Sequence, residues 1–217
     1  MQSATKRAPQ RQPRSDATRK KILDAAVELI GEVGSHGLTL ALAAERAGVS
    51  RALPTYQFNT RHALLEAAAA AVLQQEPTGP ELGFEPLLAW MHDQLDGSRP
   101  NHAPMRARLA LVVGPPDPST STMVAAYWSA RLDLALGHLE RARVLEQIAD
   151  GLDLRAVAAA LMGQLHGEMA RLAWDHGEAS SEAFLTLVRN SLAPTTPQKP
   201  QPQRRPRAPD KSQGLLL

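Results

Sequence analysis

The chain has 217 residues, 43% apolar, 21% charged and 4% aromatic, rich in Ala and Leu: enough apolar material for one or two cores, and a bias toward helix over sheet. It holds no cysteine, which excludes disulfide scaffolds, thiolate metal sites, iron–sulfur clusters and cysteine nucleophiles. No apolar run approaches the ~18 residues of a membrane span, and the polar, basic start lacks the apolar stretch of a secretory signal, so a soluble cytoplasmic protein is expected.

The net charge of +2 hides an uneven distribution. Residues 1–21 carry seven bases and one acid, and residues 194–217 five bases and one acid. That leaves 12 bases and 20 acids between them, an acidic body with two basic ends. Such a chain suits a polyanion approached from one end, although solubilising tails would look the same. Residues 1–14 and the Pro/Arg-rich 194–217 cannot bury a core and are expected to be disordered.

In chain order, Ile22, Ala25, Ala26, Leu29, Ile30 and Val33 form one helical stripe. Ser15 or Asp16 is placed to cap it, and Gly34 with Gly37 to end it. A short helix follows from about Thr39 to Ala47. A third starts after Ser50, and a fourth runs from Thr60 through Gln75 until Pro77, Gly79 and Pro80. Between the next punctuators, helices are predicted over about 84–97, 102–113, 119–148, 153–174 and 178–192. The fold class is all-α. Residues 15–76 form an N-terminal helix-turn-helix domain with the motif over about 39–58, and residues 81–193 a C-terminal helical bundle.

The segment Thr39-Leu-Ala-Leu-Ala-Ala-Glu-Arg-Ala-Gly-Val-Ser50 carries the functional signal. Two short helices joined by Ala47-Gly48-Val49 fit a helix-turn-helix, with Gly48 supplying the left-handed turn and Ala44 and Ala47 permitting close crossing. Thr39 and Ser50 are placed to cap the two helices. With Ile22-Leu23-Asp24-Ala25-Ala26, Leu29 and Gly34 before it, and Tyr56, Phe58, Arg61 and Leu64-Leu65 after it, residues 18–65 resemble the DNA-binding domain of the TetR family of transcriptional regulators. Pro54-Thr55 stands where many members have Leu-Tyr, and Arg61 where lysine is usual. Pro54 should tighten the first turn of the third helix.

The resemblance implies that the third helix enters the major groove of double-stranded DNA. Arg51 is the candidate for a guanine edge, with a phosphate contact as the alternative. Thr39, Ser50, Ala52, Thr55, Tyr56 and Arg61 complete the expected DNA surface. A cation in the first turn of a helix opposes its dipole, a cost that a phosphate beside Arg61 would offset.

The resemblance also implies a homodimer, formed through helices over about 153–192, that reads a palindromic operator. Gly163 and Gly167, four residues apart, leave room for a neighbouring helix. Trp90, Met105, Trp128, Met162 and His166 are candidates to line a site for an unknown apolar or aromatic effector, with ordinary core packing as the alternative for each. No cofactor, metal or catalytic residue is expected. The seven histidines lack metal-site spacing, no phosphate-cradling glycine loop is present, and Gly163-Gln-Leu-His-Gly167 has Leu165 where a nucleophile elbow needs serine. The expected function is a ligand-responsive regulator, a repressor by family habit. A non-specific nucleoid-type DNA-binding protein and a purely structural helical oligomer are the alternatives.

Overall fold

The computed structural model describes residues 13–74, 81–96, 103–174 and 181–194, all helix, turn or loop with no strand among them. The helices are α1 (Pro13–Gly37), α2 (Leu40–Arg46), α3 (Ala52–Phe58), α4 (Arg61–Leu73), α5 (Phe84–Asp96), α6 (Ala103–Val112), α7 (Ser121–Val144), α8 (Leu154–Trp174) and α9 (Ser181–Leu192). The basic tail beyond 194, residues 1–12 of the basic arm and the end of the first predicted domain at 75–76 lie outside the described residues. Pro13 and Arg14, assigned by sequence to the arm, already belong to α1. Ser15 and Asp16 therefore sit inside its first turn rather than capping it, and Asp16 still favours the helix dipole there.

The α1 stripe is buried from Ile22 to Ile30, but Val33 is 54% exposed. Gly34 explains this: at φ 74, ψ 171 it breaks the helix one residue later and turns the chain toward α2. The longest predicted helix is also shorter than expected. It stops at Val144 because Glu146, at φ 56, takes the left-handed position usually given to glycine. Gln147 N then donates to Ala142 O (2.9 Å) and Glu146 N to Arg143 O (3.0 Å), closing the helix end.

Two apolar cores form. One joins Ile22, Ala26, Leu29 and Ile30 of α1 to Phe58 of α3 and to Leu64, Leu65, Ala68 and Val72 of α4. The other joins Leu87, Leu88 and Met91 of α5 to Leu139, Leu161, Leu165, Met169 and Val188 of α7–α9. The first core also takes in Ala107 and Leu111 of α6 and Tyr127 of α7, so these helices are shared between the two halves.

α1 and α6 approach each other closely at Gly31. A Cβ there would stand 2.8 Å from Arg106 Cβ, 3.2 Å from Ala107 N and 3.3 Å from Ala103 O on α6. Backbone cannot yield as a flexible side chain would. Gly31→Ala is therefore expected to destabilise, because overpacking of about 1–3 kcal/mol outweighs the helix propensity alanine brings, ~1 kcal/mol. Urea unfolding checks this, and a variant as stable as the parent would contradict such a tight crossing.

Candidate DNA-binding surface and buried aromatic cluster

The turn between α2 and α3 is built by backbone hydrogen bonds. Gly48, at φ 63, donates to Glu45 O (3.1 Å), and Val49 N donates to Ala44 O (3.0 Å), the paired bonds that end a helix on a left-handed residue. Thr39 caps α2 as expected, its hydroxyl oxygen accepting from Leu42 N at 3.1 Å. Ser50 does not cap α3. The capping position falls on Arg51, whose backbone is already helical, and no side chain bonds the first turn. Leu53 N instead reaches Ser50 O, three residues back, at 3.0 Å. Pro54 is buried at the third helical position, where a missing N–H costs little, and the tightening is confined to that turn.

α3 is held from behind. Arg19 of α1 donates to Gln57 O (2.6 Å) at the carbonyl end of α3, and its guanidinium lies 4.1 Å from the Phe58 ring centroid. Gln57 Nε2 donates to Ser15 Oγ at 3.1 Å. On α2, Arg46 donates to both carboxylate oxygens of Glu32 (2.9 and 2.7 Å) and to Glu28 (3.3 Å), and the Arg46 bonds hold the Glu32 carboxyl below its usual range. Both short helices are thus fixed on α1, too short to be stable alone.

With Pro54 and Phe58 buried, Arg51, Ala52, Thr55 and Tyr56 face outward, Tyr56 at 81% exposure. Neither Arg51 nor Tyr56 spends its side chain on a hydrogen bond or ion pair with another described residue. Ser50 is exposed beside them.

Arg61 departs from its expected place on the DNA surface. Its guanidinium turns inward: Nε donates to Leu38 O (2.9 Å), and Nη2 to Ser35 O (2.6 Å) and to Asp117 Oδ2 (3.2 Å). The partner that offsets its unfavourable position in the first turn of α4 is this carboxylate with two carbonyls, so no phosphate is needed there.

Of the expected effector residues, Trp128 and His166 meet directly, ring centroids 4.5 Å apart. Tyr127 joins them, its hydroxyl 3.0 Å from His166 Nε2. His166 Nδ1 lies 2.6 Å from Met162 O, so Nδ1 carries the proton, and Nε2 accepts from the tyrosine. Trp90 closes the cluster through Arg131, whose guanidinium lies 5.0 Å from the Trp90 ring centroid and 5.1 Å from that of Tyr127. Met105 is buried in the same apolar core. Sequence reasoning counted Tyr127 only among the bulky residues that could line a cavity and passed over Arg131 altogether. The one available signal was their position on the helix of Trp128, at the spacing of successive turns.

Burial holds His166 below the ordinary imidazole range, despite its bond to Met162 O, with Arg131 and Arg108 pushing the same way. Burial does the same to His138, opposed by Gly83 O. The neutral rings belong to the folded state, so the unfolded chain binds more protons once the pH falls through its own imidazole value, ~6.5. Stability should be full above about pH 7.5 and decline below about pH 6.5, until the lowered folded values are passed. Asp117, held low by Ser119 and Arg61, acts only in the carboxylate range. Urea midpoints between pH 8 and 5 test this: the wild type should slope, and His166→Gln should flatten that slope. Equal slopes would contradict the assignment.

Two arginines of α6 bond the carbonyl ends of neighbouring helices. Arg108 Nε donates to Val72 O (2.8 Å) at the end of α4, and Arg106 Nε to Ala173 O (2.7 Å) at the end of α8.

Residues 22–68 match the family model of bacterial regulatory proteins, tetR family. By this match the segment from α1 to α4 is similar to the tetR family. The chain is 40% identical over 57 residues to the HTH-type transcriptional regulator BetI of Escherichia coli O139:H28, a match covering 26% of the chain and 29% of that relative. Fewer than a third of the residues of that curated relative are thus matched.

The fold likeness is wider. NalD, the secondary repressor of the MexAB-OprM multidrug efflux pump in Pseudomonas aeruginosa, superposes with a TM-score of 0.67 at 19% identity, covering 82% of this chain and 98% of NalD. A TetR-family transcriptional regulator from Agrobacterium tumefaciens gives 0.68 at 19% identity, over 82% and 99% of the two chains. At such identities the likeness establishes a common fold.

Proposed function

We propose that the protein is a homodimeric, ligand-responsive transcriptional regulator, a repressor, that binds a palindromic operator in double-stranded DNA. The observation that carries the reading is the outward face of α3. Arg51, Ala52, Thr55 and Tyr56 are exposed on a helix whose other face is fixed by Pro54, Phe58 and Arg19. Arg51 reads a guanine edge, Tyr56 and Thr55 meet phosphate or base, and Ala52 fits against a thymine methyl. Thr39 and Ser50 lie at the starts of α2 and α3, where hydroxyls and free N–H groups suit phosphates.

Dimerisation through α8 and α9 is supported by the surface they leave open. Ala156, Ala160, Gly163 and Gly167 are exposed at helical spacing, and nothing approaches a Cβ built on either glycine within 4 Å. No neighbouring helix among the described residues fills this space. Leu187 on α9 is 60% exposed and Trp174 at the end of α8 50%, apolar surface suited to a second copy.

An apolar or aromatic small molecule would act at the cluster of Trp90, Trp128, Met162 and His166, with Met105 in the adjoining core, by favouring a dimer whose two recognition helices are mis-spaced for successive major grooves. No described helix is long and apolar enough to cross a membrane. A regulator of this kind works in the cytoplasm, on the nucleoid when DNA-bound.

Titration of genomic DNA fragments at rising salt tests the reading. A regulator retains a small set of fragments at salt that strips bulk DNA. Loss of all fragments together would point to the non-specific binder.

A further inference from the structure

We infer that Arg61 and Asp117 form an inter-domain clasp that sets the helix-turn-helix against the C-terminal helices, making Arg61 a positioning residue for DNA binding. The inference rests on the DNA-binding reading above. Asp117 lies between α6 and α7, flanked by Pro116 and Pro118, which restrict its backbone. It is 5% exposed, and its Oδ1 accepts from Ser119 N (3.0 Å) and Ser119 Oγ (2.7 Å), leaving Oδ2 for Arg61. A carboxylate so enclosed needs a cation, and Arg61 supplies it.

The other arms of the same guanidinium hold Ser35 O and Leu38 O, on either side of the turn that delivers the chain to Thr39 and α2. One planar fork therefore grips the entrance to the helix-turn-helix and the start of α7 at once, a geometry that a lysine ammonium cannot reproduce. Asp117 O also accepts from Thr120 N at 3.0 Å, immediately before α7. Tyr127 lies six residues along α7, about 9 Å at helical rise, and bonds His166 of α8. A shift of α7 caused at the aromatic cluster reaches the clasp through one rigid helix.

The test is a double-mutant cycle on operator affinity, using a duplex recovered from a random pool by the wild type, with Arg61→Gln, Asp117→Asn and the pair. Each single substitution should weaken binding, roughly 5- to 150-fold for a coupling of ordinary size, and the pair should lose no more than the worse single. Because no phosphate contact is removed, the dependence of affinity on salt should keep its slope. Arg61→Lys, which keeps the charge, should behave like Arg61→Gln. Helicity and melting, measured alongside, identify any variant that is not folded at the assay temperature, and Asp117→Asn, nearly the same shape, then carries the test.

A loss with Arg61→Gln alone, restored by Arg61→Lys and accompanied by a shallower salt slope, would make Arg61 a phosphate contact and overturn the clasp. Selective wild-type binding undisturbed by any variant would overturn it equally. Failure of the wild type to select any duplex would remove the DNA-binding reading, and the clasp with it.

Discussion

Gly163→Arg is expected to leave the chain folded, convert it to a monomer, and cost about 10²–10⁴ in affinity for a palindromic site, the usual gain from linking two binding modules. Gly163 sits in the middle of α8, exposed, and apart from its own helix backbone no atom of the described residues lies within 4 Å of a Cβ built there. Within one chain an arginine would be accommodated and would even favour the helix, since glycine is the poorer helix former by roughly 0.8–1 kcal/mol. In a dimer packed on this face, the same side chain stands where the partner helix must approach. Two opposite signs of effect thus separate fold from assembly. Light scattering should give a mass near 23.4 kDa for the variant and twice that for the parent. A variant that stays dimeric with unchanged DNA affinity would place the interface elsewhere.

Arg51→Ala is expected to weaken operator binding by about 1–3 kcal/mol in each half-site, and to erase preference at the two symmetry-related positions that its guanidinium reads. The fold should be indifferent. Arg51 is exposed and fills the capping position of α3 without a side-chain bond, so melting should be unchanged. The selectivity pattern is more telling than the loss. If all duplexes weakened equally and the salt slope fell by about one per contact, Arg51 would be a phosphate contact and base reading would belong to Tyr56 and Thr55.

What could be read in the sequence was local. The α1 stripe, the Thr39 cap and the glycine turn at Gly48 all rest on residues within a few positions of one another, where period and turn chemistry decide the outcome. What could not be read depends on partners far along the chain. Arg61 was drawn to the DNA surface because its charge opposed the α4 dipole, a correct physical complaint whose answer lies 56 residues on at Asp117. The Pro-rich segment holding that aspartate read only as a separator. Arg19 counted only as one more base of residues 1–21, whereas it grips the carbonyl end of α3 from 38 residues away. Ser50 matched a cap by type but lost the position to a backbone that was already helical at Arg51. Glu146 in a left-handed conformation ended α7 where no glycine announced a stop. Nor did chain order show that α6 contributes to both cores and meets α1 at Gly31.

The central claim, that the outward face of α3 reads a sequence in duplicate, is tested most directly by selecting bound duplexes from a random DNA pool at near-physiological salt. The account predicts recovery of a palindrome, with half-sites about one helical turn apart or a multiple of it, by the wild-type protein. Recovery of no common motif, with binding that disappears as salt rises, would contradict it and leave a chain that holds DNA by charge alone.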